Sequence, residues 1–172
     1  EPLKDLRSKL GTFAVLGNHD TGHMLDRKHG AFIPYRMPGR STDVIHVLER
    51  LGITLLQNEN VLLKKGSISF AVAGSDHCWM DSCDLSATFK NIPKDMPIIL
   101  LSHIPDVILD KKSARASLII SGHTHGGQIR LPFIGPLPPL PTALGQTYDQ
   151  GIKFWGNTPM FITRGVGESG AR

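Results

Sequence analysis

Three short apolar segments of this chain each end in a polar turn that carries histidine. The segments are residues 12–16, 97–101 and 117–120. The turns that follow them carry, in order, His19, His103, and the pair His123 and His125. Continuously apolar runs of this length are typical of strands buried on both faces of an α/β sheet, and α/β proteins place their sites at the carboxyl ends of such strands. We therefore expect an α/β fold in which these turns meet at one edge of one sheet.

The remaining pattern predicts further helices and strands around these segments. Helices are expected over residues 3–10, 43–52 and 85–89. A strand is expected over residues 53–57, a hairpin over 61–63 and 67–72, and two closing strands over 153–155 and 159–163. No repeat or linker divides the 172 residues, so we expect a single domain over residues 1–172.

Composition limits the class of function. Hydrophobic residues make up 40% and charged residues 20% of the chain, which is ordinary for a soluble globular protein. The formal net charge of +4 suits an anionic substrate, but the basic residues are too scattered to predict nucleic-acid binding. Two cysteines, Cys78 and Cys83, are too few for a disulfide framework. We expect two reduced thiols, and favour them over a disulfide bond or a metal site formed by the pair.

The pair His123 and His125 is the first candidate site. In an extended segment, side chains two residues apart point the same way, so both imidazoles could face one metal ion. Gly122, Gly126 and Gly127 flank the pair and permit unusual backbone angles. The alternative is that both are ordinary surface histidines.

The turn at residues 18–20 is the second candidate site. The amide oxygen of Asn18 is a neutral ligand that suits a metal which also binds phosphate, and His19 could donate a proton to a leaving alkoxide. Asp20 could orient that imidazole. The alternative is a capped turn, because Asn and Asp often hydrogen-bond the local backbone. A single histidine after an apolar strand more often packs inside the protein than binds a metal. His103 becomes a candidate ligand because the other two turns also carry possible ligands.

Other histidines receive weaker interpretations. Asp76 and His77 end another strand and could line the same pocket. His23, His29 and His46 are expected on the surface or on helices.

A proline-rich and unusually apolar segment follows the histidine pair. Prolines at positions 132, 136, 138, 139 and 141 exclude a helix or a central strand and predict a stiff, extended loop. Residues 131–140 are interpreted either as a lip that contacts a membrane or an acyl chain near the site, or as a lid packed on the protein's own surface.

As a set, the three motifs resemble the later motifs of the calcineurin-like metallophosphoesterase family. They are residues 17–20 (Gly-Asn-His-Asp), 102–103 (Ser-His) and 122–125 (Gly-His-Thr-His). Residues 121–132, the proline-rich loop and residues 164–167 (Arg-Gly-Val-Gly) are similar to one bacterial branch of phosphodiesterases and lipid A-precursor pyrophosphatases, often membrane-associated. The resemblance implies two β-sheets flanked by helices, and metal-dependent hydrolysis of phosphoester bonds.

The resemblance also implies a binuclear centre of Mn, Fe or Zn. Its ligands would be Asn18, His103 and His123 for one ion, and His125 for the other. His19 would be the general acid, with support from Asp20. The substrate would be a small phosphoester or a phospholipid-like molecule, and nucleic acid is not an expected partner. The protein would be bacterial, and either cytoplasmic or in peripheral membrane contact through the loop 131–140.

The start of the sequence departs from the family pattern. Family members open with an Asp-x-His motif and a Gly-Asp motif, but the sixteen residues before Gly17 contain no His, and Asp5 is not assigned as a ligand. We therefore expect a domain incomplete at its N-terminus and at its extreme C-terminus. This stretch alone would bind at most one ion and would be nearly inactive. The alternative function is a non-catalytic binding protein on the same scaffold, and a third hypothesis is a binder of anionic surfaces or nucleic acid.

Overall fold

The structure, a computed structural model, describes residues 3–21, 40–78, 82–137 and 139–166. The strands in these residues are β1 (Thr12–Ala14), β2 (Ile53–Leu55), β3 (Glu59–Lys65), β4 (Ile68–Gly74), β5 (Ile98–Leu101), β6 (Leu118–Ser121), β7 (Arg130–Leu131), β8 (Gly135–Pro136), β9 (Gly151–Trp155) and β10 (Thr158–Ile162). The α-helices are α1 (Arg40–Arg50) and α2 (Leu85–Thr88). Short 3-10 helices occupy Pro105–Leu109, Lys111–Arg115, His125–Gly127 and Gln146–Tyr148.

A six-stranded sheet forms the centre of the fold, in the order β3-β4-β5-β6-β10-β9. The four inner strands β4, β5, β6 and β10 run parallel, and β3 and β9 pair antiparallel at the two outer positions. The carboxyl ends of the four inner strands therefore lie along one edge of the sheet, which we call the carboxyl edge. The mixed α/β fold expected from the sequence is confirmed.

One face of this sheet carries the core. Its side chains come from alternate positions of the inner strands, among them Ala71, Ala73, Ile98, Leu100, Ile119, Met160 and Ile162. Leu85 of α2, Ile92, and Val107 and Ile108 of the first long 3-10 helix pack against them. Burial of each large aliphatic side chain contributes about 1.5–3 kcal/mol, so this face holds the parallel strands rigidly in place.

The strand β1 belongs to a second, two-stranded sheet in which it pairs parallel with β2. The two sheets meet at Gly74, where an added Cβ would overlap Leu56 and lie 2.8 Å from Cγ1 of Val15. The expectation that all three histidine-bearing turns follow strands of one sheet is therefore wrong. The turn after β1 approaches the carboxyl edge because the two sheets pack together, and the two sheets implied by the family resemblance are confirmed.

The predicted N-terminal helix is wrong, because residues 3–5 form a turn and residues 6–8 have no regular structure. Leu3 and Leu6 are 45% and 50% exposed, and so short a helix needs a packed apolar face to offset the cost of nucleation. The other predicted elements are present with shifted ends. For example, α1 starts at Arg40, and the β3–β4 hairpin extends over residues 59–74.

No helix in the described part of the chain has the length and apolar character needed to cross a bilayer. His46 is exposed on α1. His23, His29 and Gly167 lie outside the described residues.

Candidate metal centre

Three of the predicted ligands meet at one point of the carboxyl edge. The Nε2 atom of His103 lies 2.9 Å from Oδ1 of Asn18 and 3.1 Å from Nδ1 of His123. The two imidazole rings meet edge to face, with centroids 5.0 Å apart. Asn18 follows β1, His103 follows β5 and His123 follows β6, so three separate strand ends supply the three atoms.

Both imidazoles of this cluster are neutral near pH 7. Burial, followed by repulsion from His77, lowers the pKa of His103 to about 4. Burial, followed by repulsion from His103, lowers the pKa of His123 to about 3. A neutral imidazole keeps a lone pair on one ring nitrogen, and this is the form that binds metals.

The two donor–donor distances at His103 Nε2 suit the binding of one divalent ion. Bonds of about 2.0–2.1 Å at right angles hold donor atoms about 3 Å apart, close to the separations of 2.9 and 3.1 Å around His103 Nε2. Among the described residues no three His, Cys, Asp or Glu side chains group as metal ligands. The amide oxygen of Asn18 would therefore be the third donor of such a set, and three protein ligands would leave positions open for water and substrate, as in catalytic sites.

Gly17 makes room for the imidazole of His103. A Cβ added at Gly17 would lie 2.8–3.0 Å from three atoms of that ring. Real Cβ atoms do not approach so closely, so only glycine at this position lets the turn after β1 touch the end of β5. The first residue of the Gly-Asn-His-Asp motif is thus explained by packing.

The carboxylate of Asp20 caps the same turn. Its Oδ2 atom accepts a hydrogen bond of 2.8 Å from the Gly17 N–H, and the Asp20 and Thr21 N–H groups donate to the Gly17 carbonyl. The sequence also allowed a turn in which Asp20 hydrogen-bonds the local backbone, and these contacts agree with that alternative. The role of Asp20 in supporting His19 stays a prediction. His19 itself is exposed on the turn, where a ring can reach a substrate.

The loop after β6 is not extended. His123 has a φ of 72° and His125 a φ of 52°, and residues 125–127 form a 3-10 helix. The reasoning that two residues of an extended segment face the same way is therefore wrong for this pair. Left-handed backbone at non-glycine residues costs of order 1 kcal/mol or more and is found at functional sites. The Thr124 hydroxyl fixes the loop through a 2.6 Å hydrogen bond to the Asp149 carbonyl.

His125 lies beside the cluster of three. Burial and then repulsion from His19 lower the pKa of His125. The charge of His125 also acts on His103 and His123. The charges of His19 and His125 therefore both act on His103.

The loop after β4 adds His77, which the sequence indicated only as a possible pocket residue. His77 is 3% exposed, and its charge lowers the pKa of both His103 and His123. Asp76 caps the loop by accepting from the His77 N–H at 2.7 Å.

Asn58 holds this loop and was missed by sequence reasoning. Its Oδ1 atom accepts from the N–H groups of Asp76 and Asp84, each at 3.0 Å, and its Nδ2 donates to the Ser82 carbonyl at 2.6 Å. A single asparagine after a strand carries no pattern that could have indicated these contacts.

The proline-rich segment forms a short hairpin of β7 and β8. We call residues 129–137 the apolar hairpin. At its tip Phe133 is fully exposed and Ile134 is 72% exposed, so the interpretation as a lid packed on the protein's own surface is wrong there. Its base is fixed, since a Cβ added at Gly127 would overlap Pro136.

Comparison with known proteins gives one family and several bacterial relatives. The model of the calcineurin-like phosphoesterase family matches residues 1–127. The uncharacterized metallophosphoesterase YkuE of Bacillus subtilis is 32% identical over 170 residues, covering 96% of this chain and 52% of YkuE. The phosphodiesterase YaeI of Escherichia coli is 29% identical over 166 residues, covering 96% of this chain and 54% of YaeI.

A pyrophosphatase also matches, over a smaller part of the chain. The UDP-2,3-diacylglucosamine pyrophosphatase LpxG of Chlamydia muridarum is 27% identical over 163 residues, covering 76% of this chain and 49% of LpxG. The chain spans about half the length of these curated relatives. No solved structure gives a significant match.

Proposed function

Because this chain belongs to the calcineurin-like phosphoesterase family, we propose that it carries active-site residues of a metal-dependent hydrolase of phosphodiester or pyrophosphate bonds. The observation that carries the proposal is the meeting of Asn18, His103 and His123 at one point. The names of two relatives, a phosphodiesterase and a pyrophosphatase, support the choice of bond.

In this proposal the centre is binuclear. Asn18, His103 and His123 hold one divalent ion, and His125 contributes to the second. A divalent ion supplies, when bound, positive charge that polarises a phosphate oxygen and makes water more acidic. The neutral state of His103 and His123, whose pKa values are lowered by burial, supports their part as ligands, because no proton has to leave before they bind.

His19 acts as the general acid. Its exposure on the turn after β1 supports this role, since a ring nitrogen can give its proton to the leaving oxygen and regain one from solvent. Its charge acts on both His103 and His125, which supports a role for His19 near the ligands. The cap from Asp20 to the Gly17 N–H fixes the backbone that carries His19.

The apolar hairpin supports a phospholipid-like substrate and peripheral membrane contact. Phe133 and Ile134 are exposed to solvent, while Pro136 at the base of the hairpin packs on Gly127. An apolar tip of this kind can enter the boundary between headgroups and acyl chains. A substrate held at a bacterial membrane surface would thereby come close to the carboxyl edge.

The test is His103→Ala in the full-length protein, with His46→Ala as the matched control on exposed α1. Bound Mn and Zn would be measured by mass spectrometry, and hydrolysis of bis(4-nitrophenyl) phosphate by absorbance. We expect His103→Ala to lower both metal affinity and kcat/KM by at least about a hundredfold, because loss of an outer partner of a ligand already costs 10- to 100-fold.

Two outcomes would count against this function. Hydrolysis that survives a chelator, or that is unchanged in His103→Ala, would overturn the metal-dependent mechanism. Metal binding without hydrolysis of any phosphodiester or pyrophosphate would favour the non-catalytic scaffold instead.

A further inference from the structure

The strand β10 brings a cation to the same edge as the histidines. It runs parallel to β6, with Ile162 opposite Ser121. The Thr163 N–H continues the pairing with a 2.8 Å hydrogen bond to the Ser121 carbonyl. Arg164 therefore stands two residues beyond the last register pair, as His123 does on β6. The backbone of Arg164 therefore follows the carboxyl end of β10, at the same edge of the sheet as the turns that carry His103 and His123.

The side chain of Arg164 packs on the backbone of Gly126, the residue that follows His125. A Cβ added at Gly126 would be 2.9 Å from both Cγ and Cδ of Arg164 and 2.8 Å from Oε1 of Gln150. Gly126 also has a φ of 65°, a backbone conformation that favours glycine. The aliphatic part of the arginine is thereby seated on the loop that carries the histidine pair.

The guanidinium of Arg164 differs from those of Arg115 and Arg130 in its hydrogen-bond partners. Arg130 pairs with the carboxylate of Asp149, and Arg115 donates to backbone carbonyls. No carboxylate or carbonyl in the described residues accepts from Arg164, which is exposed. A guanidinium presents its N–H groups as a planar fork that matches two oxygens of a phosphate group.

We propose that Arg164 is a specificity-determining residue that binds two non-bridging oxygens of the substrate phosphate. The inference deepens the proposed hydrolase function and rests on it. The aliphatic part of Arg164 lies on the loop that carries His123 and His125, and its guanidinium is exposed, so this side chain can contact a phosphate held at the cluster. Substrates whose phosphate carries anionic oxygens would be preferred over neutral phosphate esters.

The test compares Arg164→Ala and Arg164→Lys with Lys64→Ala in the full-length protein. Lys64 is exposed near the end of β3 that lies opposite the carboxyl edge, so its loss is a control for net charge. The first measurement is calorimetric titration of the metal-free proteins with inorganic phosphate at low salt. We expect Arg164→Ala to weaken binding about tenfold or more, Arg164→Lys to retain part of it, and Lys64→Ala to match the parent.

The second measurement is hydrolysis of bis(4-nitrophenyl) phosphate by the metal-loaded proteins. We expect Arg164→Ala to raise KM about tenfold with a smaller change in kcat and an unchanged thermal midpoint. Equal phosphate affinity in the parent and Arg164→Ala, or no phosphate binding by the parent, overturns the inference even if hydrolysis is observed. Phosphate binding that depends on Arg164 in a protein without hydrolytic activity supports the Arg164 site and overturns the hydrolase function alone.

Discussion

Two consecutive stretches of chain after β6 have opposite environments. Residues 121–127 are mostly polar or glycine and largely buried, whereas the apolar hairpin exposes its hydrophobic side chains to solvent. The buried members of the first stretch are Ser121, His123, Thr124, Gly126 and Gly127. The exposed members of the second are Ile129, Leu131, Phe133, Ile134 and Leu137.

The difference between the two stretches shows that position in the sheet, and not hydrophobicity, decides burial here. The first stretch lies between the ends of β5 and β10, which supply hydrogen-bond partners such as the His103 carbonyl for the Gly122 N–H. The hairpin projects beyond these strands, and nothing in the described residues covers its tip. Asp149 connects the two stretches, because its carbonyl accepts from Thr124 and its carboxylate pairs with Arg130.

The largest expected effect comes from adding a methyl group where the two stretches touch. In Gly127→Ala the new Cβ would overlap Pro136 at a φ of 78°. We expect a loss of about 2–4 kcal/mol in the free energy of unfolding, from overpacking together with left-handed strain. Urea unfolding followed by circular dichroism measures it.

The matched control is Gly135→Ala at the far end of the hairpin. Its φ is 96°, but no atom lies within 4 Å of the added Cβ, so only the backbone strain of about 1–3 kcal/mol should be seen. Equal losses in the two variants would show that the hairpin base is not packed on the loop.

A second variant acts on the exposed stretch alone. In Phe133→Ser combined with Ile134→Ser, we expect binding to anionic phospholipid vesicles to fall about tenfold or more, since two apolar side chains no longer enter the lipid. The unfolding free energy should stay within about 0.5 kcal/mol of the parent, because both side chains are exposed. Vesicle sedimentation gives the affinity, and binding that survives both substitutions would exclude the hairpin as the membrane contact.

The smallest effect concerns Asp149, which joins the two stretches. Burial alone would raise the pKa of Asp149, but hydrogen bonds from Arg130 and Lys153 outweigh it and hold the pKa below its usual value. A lowered pKa contributes stability above the unfolded value, and this contribution is lost as pH falls through the folded value.

We therefore expect Asp149→Asn to cost about 0.5–1 kcal/mol at pH 7. The difference from the parent should shrink below about pH 4. Thermal unfolding at pH 7 and at pH 3 would measure both values. A difference that is the same at the two pH values would assign the effect to packing and not to charge.

The elements of the fold could largely be predicted from local pattern, but their arrangement could not. Apolar runs bounded by turns are readable one segment at a time, which is why β5 and β6 were predicted almost at their observed ends. Strand pairing is not readable in this way. The pairing of β1 with β2 joins residues about 40 positions apart, and the packing of this pair on the central sheet depends on the close approach of Leu56 to Gly74. No residue near β1 in the sequence indicates either contact.

The candidate site shows the same limit. Asn18, His103 and His123 were indicated by their turns, and the structure brings them together. Three other features of the site depend on neighbours that are distant in sequence. They are the backbone angles of His123, the contacts of Asn58 and the packing of Arg164 on Gly126. Residue type predicts what a side chain can bind, whereas these positions are set by packing between strands.

The cluster around His103 also has a consequence for the order of folding. Its contact with Asn18 closes 85 residues of chain, and its contact with His123 closes 20. Closing loops of that size has an entropic cost. These contacts therefore form only after the strands that carry them have paired. An unfolded chain therefore cannot present the three donors together. A metal that binds only the folded form raises the thermal midpoint by mass action, so a metal-dependent midpoint would report that the two sheets have docked.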